Sequence, residues 1–142
     1  MSSSSELRIR VARPSDLVVL AGARPLTRQH GRAFFLQFGG EAWTMTLDGL
    51  PIGAAGFWPA DGFREAWLML SPAFRRKSVL PAAVRMVSAH LQTHFDAQVP
   101  TVAAVDLENR GGRAIASRLG FIDAGDHPLY PGAAMFVLVR TG

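Results

Sequence analysis

The sequence contains no cysteine among its 142 residues. Disulfides, thiolate metal sites and cysteine nucleophiles are therefore excluded. No apolar run approaches the roughly 18 residues that a membrane-spanning helix needs, so we expect no membrane partner. Lysine and tyrosine each occur once, as Lys77 and Tyr130, and the other basic residues apart from histidine are arginine.

A strong excess of positive charge is also missing, since 15 basic and 11 acidic residues leave a net charge of +4. The densest basic cluster is Arg75-Arg76-Lys77, and no run of four or more basic residues occurs. A nucleic-acid-binding surface needs a longer basic stripe with interleaved aromatic residues. We therefore expect no nucleic-acid partner. Residues 1–6 are polar and predict a flexible N-terminal tail, not a signal peptide, which favours a cytoplasmic location.

What the chain does contain is 49% hydrophobic residues, enough for the core of one domain over residues 7–142. Alternating and helical periodicities predict the element order β-α-α-β-β-β-α-β-α-β-β, and thus an α/β fold. The predicted strands are 7–12, 41–47, 51–58, 65–70, 101–106, 121–126 and 134–139. The predicted helices are 13–20, 25–37, a long helix that Ser78 can cap and that ends near 95–98, and a helix from the cap Asn109 to 119.

The most informative stretch covers residues 101–121, an apolar strand followed by an amphipathic helix. Asn109 is a good N-cap, because its side-chain oxygen can accept a hydrogen bond from a free backbone N–H of the first helical turn. Gly120 stands just past the helix, where a left-handed backbone is usually needed. We expect Phe121, which opens the next strand, to be buried.

This stretch and the order of elements resemble GNAT-type acyltransferases, in which an Asn after the fifth strand precedes a helix ending in Leu-Gly-Phe. The resemblance covers nearly the whole chain and implies the GNAT fold, a mixed central sheet with helices on both faces. The segments EAWTMTLDGLPIGAAGFWP and REAWLMLSPAFRR also resemble a divergent group of GNAT-like proteins from phages and prophages. Some members of that group are virion components.

The resemblance implies acetyl-CoA as co-substrate. Backbone groups of Met69 and Leu70 would hold its pantetheine arm, and Asn109 would also belong to the coenzyme site. The pyrophosphate would lie at the loop before the long helix, since a helix N-terminus favours anions. Its residues are Arg75, Arg76, Lys77, Ser78, Val79 and Leu80.

That loop departs from the family pattern, because Ser78 and Leu80 replace small residues, usually glycine at the first position and glycine or alanine at the second. Arg75 fits the pattern, and its basic neighbours could compensate with charge. The alternative is a solvated basic loop beside an ordinary helix cap. For Met69 and Leu70 the alternative is that their strand is simply part of the core.

The resemblance also assigns catalytic positions. Glu65 stands where many GNAT enzymes have their general base, and Glu41 is a second candidate that repeats the Glu-Ala-Trp triplet. A solvated residue at a strand start is the alternative for both. Ala116 stands where the family has a tyrosine acid, seven residues after Asn109. Whether the loop of Tyr130 reaches the site is open at this stage.

Histidine and tryptophan provide weaker signals. His90 and His94 lie one helical turn apart, but no third ligand is apparent, so we predict no metal site. Three tryptophans on neighbouring predicted strands indicate core packing or, alternatively, the lining of an acceptor pocket: Trp43, Trp58 and Trp67.

The sequence thus predicts an acetyl-CoA-dependent N-acyltransferase whose acceptor is an unidentified small-molecule or peptide amine. Arg75, Glu65 and Asn109 favour this function. The alternative is a non-enzymatic GNAT-fold phage or prophage structural protein located in a virion, favoured by Ala116 and by the departures in the loop. A third interpretation is a regulator that senses CoA without turnover. Assembly as a homodimer or within a virion stays open.

Overall fold

The computed structural model of the protein describes residues 6–21 and 41–141. Three α-helices are present in this part of the chain, α1 (Pro14–Ala21), α2 (Leu80–Thr93) and α3 (Arg110–Arg118). The strands are β1 (Leu7–Val11), β2 (Glu41–Leu47), β3 (Leu50–Pro59), β4 (Arg64–Leu70), β5 (Thr101–Asp106), β6 (Phe121–Asp126) and β7 (Ala133–Leu138). The helix predicted over residues 25–37 lies outside the described residues.

The strands form one seven-stranded sheet in the order β1-β2-β3-β4-β5-β7-β6. β4 and β5 pair in parallel, whereas β1 with β2, β2 with β3, β5 with β7, and β6 with β7 pair antiparallel. This mixed sheet with flanking helices confirms the α/β fold class predicted from the sequence.

Ser78, the expected N-cap of the long helix, lies two residues before its first residue, since α2 begins at Leu80. The backbone N–H groups of Val79 and Leu80 both donate to the carbonyl of Arg76, at 2.9 and 2.8 Å, and close a turn before the helix. Pro72–Arg75 forms a 3₁₀ helix where the sequence predicted only a loop. Its buried Phe74 anchors this segment, and the helix therefore starts later.

The long helix also ends earlier than predicted, at Thr93 instead of 95–98. The hydroxyl of Thr93 donates to the carbonyl of His90 at 2.6 Å. The next two backbone N–H groups bond three residues back, His94 to Leu91 at 3.0 Å and Phe95 to Gln92 at 3.2 Å. Such tightening of the last turn satisfies carbonyl groups that have no helical partner.

The chain divides into two compact units, Met1–Trp58 with Trp67–Ala83 and Pro59–Ala66 with Val84–Gly142. In the first unit, Leu17, Ala54 and Met69 form a buried cluster, with Leu20 and Trp67 packed against it. Burial of apolar side chains of this size is worth about 1.5–3 kcal/mol for each large residue.

A buried carboxylate connects three elements of the first unit. Asp16 on α1 is only 3% exposed. It accepts two hydrogen bonds from Arg10 at 2.6 and 2.8 Å and one from the hydroxyl of Thr44 at 2.9 Å. It also accepts the backbone N–H of Arg13 at 2.8 Å, which closes the N-terminus of α1 as in a capping box. The carboxylate thereby joins β1, α1 and β2.

In the second unit, α3 places Ile115 and Leu119 in the core. Gly120 follows with a φ of +104°, and Phe121, 5% exposed, pairs with Leu138 across β6 and β7. Both expectations for this junction, a left-handed Gly120 and a buried Phe121, are confirmed.

Arg64 fixes the beginning of β4 in the second unit. Its guanidinium group donates to the carbonyl of His94 at 2.6 Å and to the hydroxyl of Thr101 at 2.8 Å. The parallel ladder of β4 and β5 joins Arg64 to Thr101 and Glu65 to Val102. These bonds set the position of Glu65, the next residue along the strand.

Candidate active site

Glu65 lies beside the only tyrosine of the chain. The hydroxyl of Tyr130 donates to Oε2 of Glu65 at 3.4 Å, and both side chains are half-buried. This distance is longer than the usual 2.7–2.8 Å for an O–H···O bond. Catalytic contacts are often long without substrate and tighten when substrate binds. The structure thus brings together two groups that can accept and donate a proton, although they stand 65 residues apart in sequence.

Tyr130 is held by the turn between β6 and β7. The backbone N–H of His127 donates to the carbonyl of Ala133 at 2.9 Å, and the N–H of Ala133 donates back to the carbonyl of Tyr130 at 3.2 Å. Nδ1 of His127 accepts the N–H of Leu129 at 3.1 Å. The imidazole is 8% exposed, and its centroid lies 4.7 Å from the centroid of the Tyr130 ring. These contacts restrain the turn that carries the phenol.

Asn109 is the N-cap of α3, as predicted. Its side-chain oxygen accepts the backbone N–H of Gly112 at 2.9 Å. A Cβ at residue 112 would lie 2.4 Å from the side-chain nitrogen of Asn109, so the capping geometry requires glycine there. Residue type alone does not reveal this requirement, because the third position after an N-cap commonly carries Glu or Gln. The role of Asn109 toward a coenzyme stays a prediction.

An open groove of about 550 Å³ lies where β5 ends. Its lining comprises Asp106, Leu107, Glu108, Asn109 and Gly132. The N–H of Leu107 donates to the carbonyl of Gly132 at 3.0 Å, which ties the end of β5 to the turn of Tyr130. With two carboxylates in its lining, the groove has an acidic character.

Ala116, at the position of the family tyrosine, is 7% exposed on α3. A buried methyl group cannot donate a proton, and a phenol would not fit there without repacking. The neighbouring Ser117 is exposed. Residue 116 therefore supplies no phenol, and the phenol of the chain is that of Tyr130.

Met69 and Leu70 end β4 in the first unit. Met69 is buried in the cluster with Leu17 and Ala54. Leu70 packs against β3, since a Cβ added at Gly53 would lie 3.1 Å from a methyl group of Leu70. Their side chains therefore serve packing, and the predicted contact of their backbone with a pantetheine arm stays a prediction.

The basic turn, residues 75–78, exposes all four of its side chains, Arg75, Arg76, Lys77 and Ser78. Val79 behind it is buried, and Leu80 is half-buried at the start of α2. The N–H groups of Val79 and Leu80 are bonded to the carbonyl of Arg76, and Pro81 has no N–H. The backbone positions 79–81 therefore offer no free donor, and the role of this turn in binding the pyrophosphate stays a prediction.

The other candidates give packing contacts or exposed positions. The rings of Trp43 and Phe57 meet edge to face with centroids 5.6 Å apart, and the indole of Trp67 lies over Gly56, where a Cβ would clash at 2.4 Å. Trp58 is half-buried, and Glu41 is exposed at the start of β2. Exposure of Glu41 favours its interpretation as a solvated residue.

His90 and His94 lie with ring centroids 4.9 Å apart. Burial, together with the neighbouring His94, lowers the pKa of His90. Within residues 6–21 and 41–141, no group of three or more histidine, aspartate or glutamate side chains is arranged to hold a metal ion. No helix in the same part of the chain is long and apolar enough to cross a membrane.

The acetyltransferase (GNAT) domain model matches residues 7–122, which is most of the chain. The protein therefore belongs to the GNAT acetyltransferase family. This confirms the family predicted from the sequence, whereas nothing in the match supports the divergent phage group. No curated protein sequence matches the chain significantly.

Solved structures show the same fold. The aminoglycoside acetyltransferase AAC(6')-Ib in complex with coenzyme A has a TM-score of 0.66 at 21% identity, covering 95% of each chain. The ribosomal-protein-S5-alanine acetyltransferase from Vibrio fischeri has a TM-score of 0.64 at 14% identity, covering 97% of each chain. An N-acetyltransferase from Staphylococcus aureus Mu50 has a TM-score of 0.63 at 18% identity, covering 96% of this chain and all of the other. At these identities the likeness establishes the fold.

Proposed function

We propose that the protein is an acetyl-CoA-dependent N-acetyltransferase in which Glu65 is the general base. The observation that carries this proposal is the half-buried carboxylate of Glu65 beside a phenol, in a chain of the GNAT family. Structural neighbours crystallised with coenzyme A or acetyl-CoA support the co-substrate. The virion alternative has no such support.

The chemistry requires one proton acceptor on the protein. Acetyl-CoA supplies a thioester carbonyl, and the amine nitrogen forms a bond to its carbon while the carbon–sulfur bond breaks. Glu65 takes the proton that the nitrogen loses, and the departing thiolate takes a proton from water. Glu65 then returns its proton to the solvent, so the overall reaction leaves the protein unchanged. General base catalysis by a positioned carboxylate contributes about 100- to 10,000-fold to such a reaction.

The coenzyme would be held mainly by the basic turn. Arg75, Arg76 and Lys77 are exposed cations, and guanidinium groups bind phosphate oxygens through paired hydrogen bonds. Ser78 adds a hydroxyl donor, and the backbone at Val79 and Leu80 borders the turn. Because side chains replace much of the usual backbone cradle, we expect binding to weaken with salt more steeply than in relatives with a glycine-rich loop.

The remaining assignments follow the family. Met69 and Leu70 would contact the pantetheine arm through their backbone, and Asn109 would also belong to the coenzyme site. The acceptor is a small-molecule or peptide amine. Kanamycin and a peptide with an N-terminal alanine are suitable first probes, since neighbouring structures include an aminoglycoside acetyltransferase with kanamycin and ribosomal-protein-alanine acetyltransferases.

The test measures release of the CoA thiol with a thiol-reactive dye, which the protein does not disturb because it has no cysteine. Glu65→Gln should lower kcat about 100-fold or more and leave acetyl-CoA affinity nearly unchanged. Glu41→Gln makes the same change in the other Glu-Ala-Trp triplet, where the Glu is exposed, and serves as the comparison variant. A loss confined to Glu41→Gln would assign the base to Glu41. No acetylation of either probe, or of a wider amine panel, would contradict the enzyme function.

A further inference from the structure

The turn that carries Tyr130 is held by several internal contacts. Residues 127–133 contain two backbone hydrogen bonds, one bond from a backbone N–H to the His127 ring and the contact between the two rings. Next to them, the carbonyl of Gly132 accepts the N–H of Leu107. These contacts restrain the backbone and the ring of Tyr130, and therefore the position of its hydroxyl group.

The backbone of the other partner, Glu65, is also restrained. Glu65 lies in the parallel ladder opposite Val102, directly after Arg64, whose guanidinium group bonds the His94 carbonyl and the Thr101 hydroxyl. The backbone of Glu65 is thus fixed. Its carboxylate still has three rotatable bonds, and the hydroxyl of Tyr130 meets one of its oxygens, Oε2.

We infer that Tyr130 is the positioning residue of the Glu65 carboxylate. The inference rests on the proposed function, because it assigns to Tyr130 the task of orienting the general base. A hydrogen bond to an ionised group is about twice as strong as one between neutral groups and restrains rotation of the carboxylate. A base fixed in one orientation loses less entropy when the amine proton is transferred.

This role differs from that of the missing family tyrosine. The position occupied by Ala116 supplies an acid in many GNAT enzymes, whereas Tyr130 comes from another loop and contacts the base. A residue that acts through Glu65 should lose its effect once Glu65 is replaced. A proton donor to the thiolate should keep its own effect in that background. Kinetics of the double variant therefore separate the two roles.

The kinetic arm compares Tyr130→Phe with Leu129→Ala, an exposed neighbour on the same turn. Tyr130→Phe should lower kcat about 10-fold or more with an unchanged KM for acetyl-CoA, since a hydrogen bond to a charged group is lost. Leu129→Ala should keep both parameters. In the Glu65→Gln background, Tyr130→Phe should cause no further loss. A further loss there would overturn the positioning role.

A second readout does not need turnover. Tyrosine labelled with carbon-13 at Cζ gives a single resonance, because the chain has one tyrosine. Glu65→Gln should shift that resonance, and Glu41→Gln should leave it in place. An unmoved resonance in Glu65→Gln would overturn the contact. If the wild-type protein is active and Tyr130→Phe leaves kcat unchanged, the positioning role alone is overturned. If the wild-type protein is inactive, both the proposed function and the positioning role are overturned.

Discussion

Gly120 has a φ of +104°, a conformation that residues with a Cβ rarely adopt. Space does not require the glycine, since the nearest heavy atom to an added Cβ would be 3.5 Å away, on Gln92. The backbone turn from α3 into β6 requires it instead. The left-handed conformation of Gly120 could be predicted from the sequence, because a glycine just after a helix is a local signal.

Gly120→Val should therefore lower the free energy of unfolding by about 1–3 kcal/mol, because a β-branched side chain resists positive φ. Urea denaturation measures the loss. Gly120→Asn is the control, since asparagine tolerates positive φ better than most residues. Equal losses in the two variants would mean that volume, not backbone conformation, determines the cost.

The contact of Tyr130 with Glu65 shows which residue-scale information the sequence does not contain. The two residues lie 65 positions apart, and no periodicity or spacing rule connects them. Their meeting depends on the sheet order, which places β7 between β5 and β6 and returns the preceding turn to the end of β5. Sequence could name both residues as candidates, but only the folded chain pairs them.

At the scale of elements, strand and helix types followed from periodicity because buried faces repeat every two or about 3.6 residues. Ser78 looks like the cap of α2 by residue type, whereas the bonds of Val79 and Leu80 to the Arg76 carbonyl extend the preceding turn up to Leu80. Several residue types can precede a helix in such a turn, so the sequence defines a helix end less sharply than it defines the helix itself.

The hydrogen bonds by which Asp16 joins β1, α1 and β2 predict that the stability of the fold depends on pH. Burial opposes ionisation of Asp16, but hydrogen bonds from Arg10, Arg13 and Thr44 outweigh it and hold the pKa of Asp16 below its ordinary value. A carboxyl with a lowered folded-state pKa stabilises the fold fully above its unfolded pKa, about 3.9. That stability is lost as the pH falls through the lower folded-state pKa.

Asp16→Asn should thus cost about 2–3 kcal/mol at pH 7, where bonds to a charged group are lost. The difference from wild type should shrink as the pH drops below about 4. Denaturation from pH 7 down to the acid limit of folding measures it, with Asp61→Asn at an exposed loop position as the control. A difference that stays constant with pH would contradict the charge-based explanation.

At the scale of the whole molecule, we expect the native state to bind acetyl-CoA because the protein belongs to the GNAT family. A ligand that binds only the native state at about 100 times its Kd adds about 2.7 kcal/mol to stability. For a chain of this size that corresponds to a rise in Tm of roughly 5–10 °C. That residues 7–142 act as one domain stays a prediction, and assembly as a homodimer or within a virion stays open.

Acetyl-CoA should produce this rise in Tm in the wild-type protein. Calorimetry should show that the double variant Arg75→Glu with Arg76→Glu binds acetyl-CoA about 100-fold more weakly or worse, because two positive charges become negative. The matched control is Arg85→Glu with Arg118→Glu, which makes the same change in net charge at exposed positions elsewhere. Equal affinity in both double variants would remove the basic turn from the coenzyme site.

The exposure of Lys77 in the basic turn has a chemical consequence. Lys77 carries the only side-chain ammonium group of the protein, so an amine-acylating reagent has a single side-chain target. A fluorophore attached there would report on the turn without any engineered label site. For the same reason, self-acetylation of a side-chain amine by the proposed activity would fall on Lys77 alone. It would remove one of the three positive charges of residues 75–77, where we propose that the pyrophosphate binds.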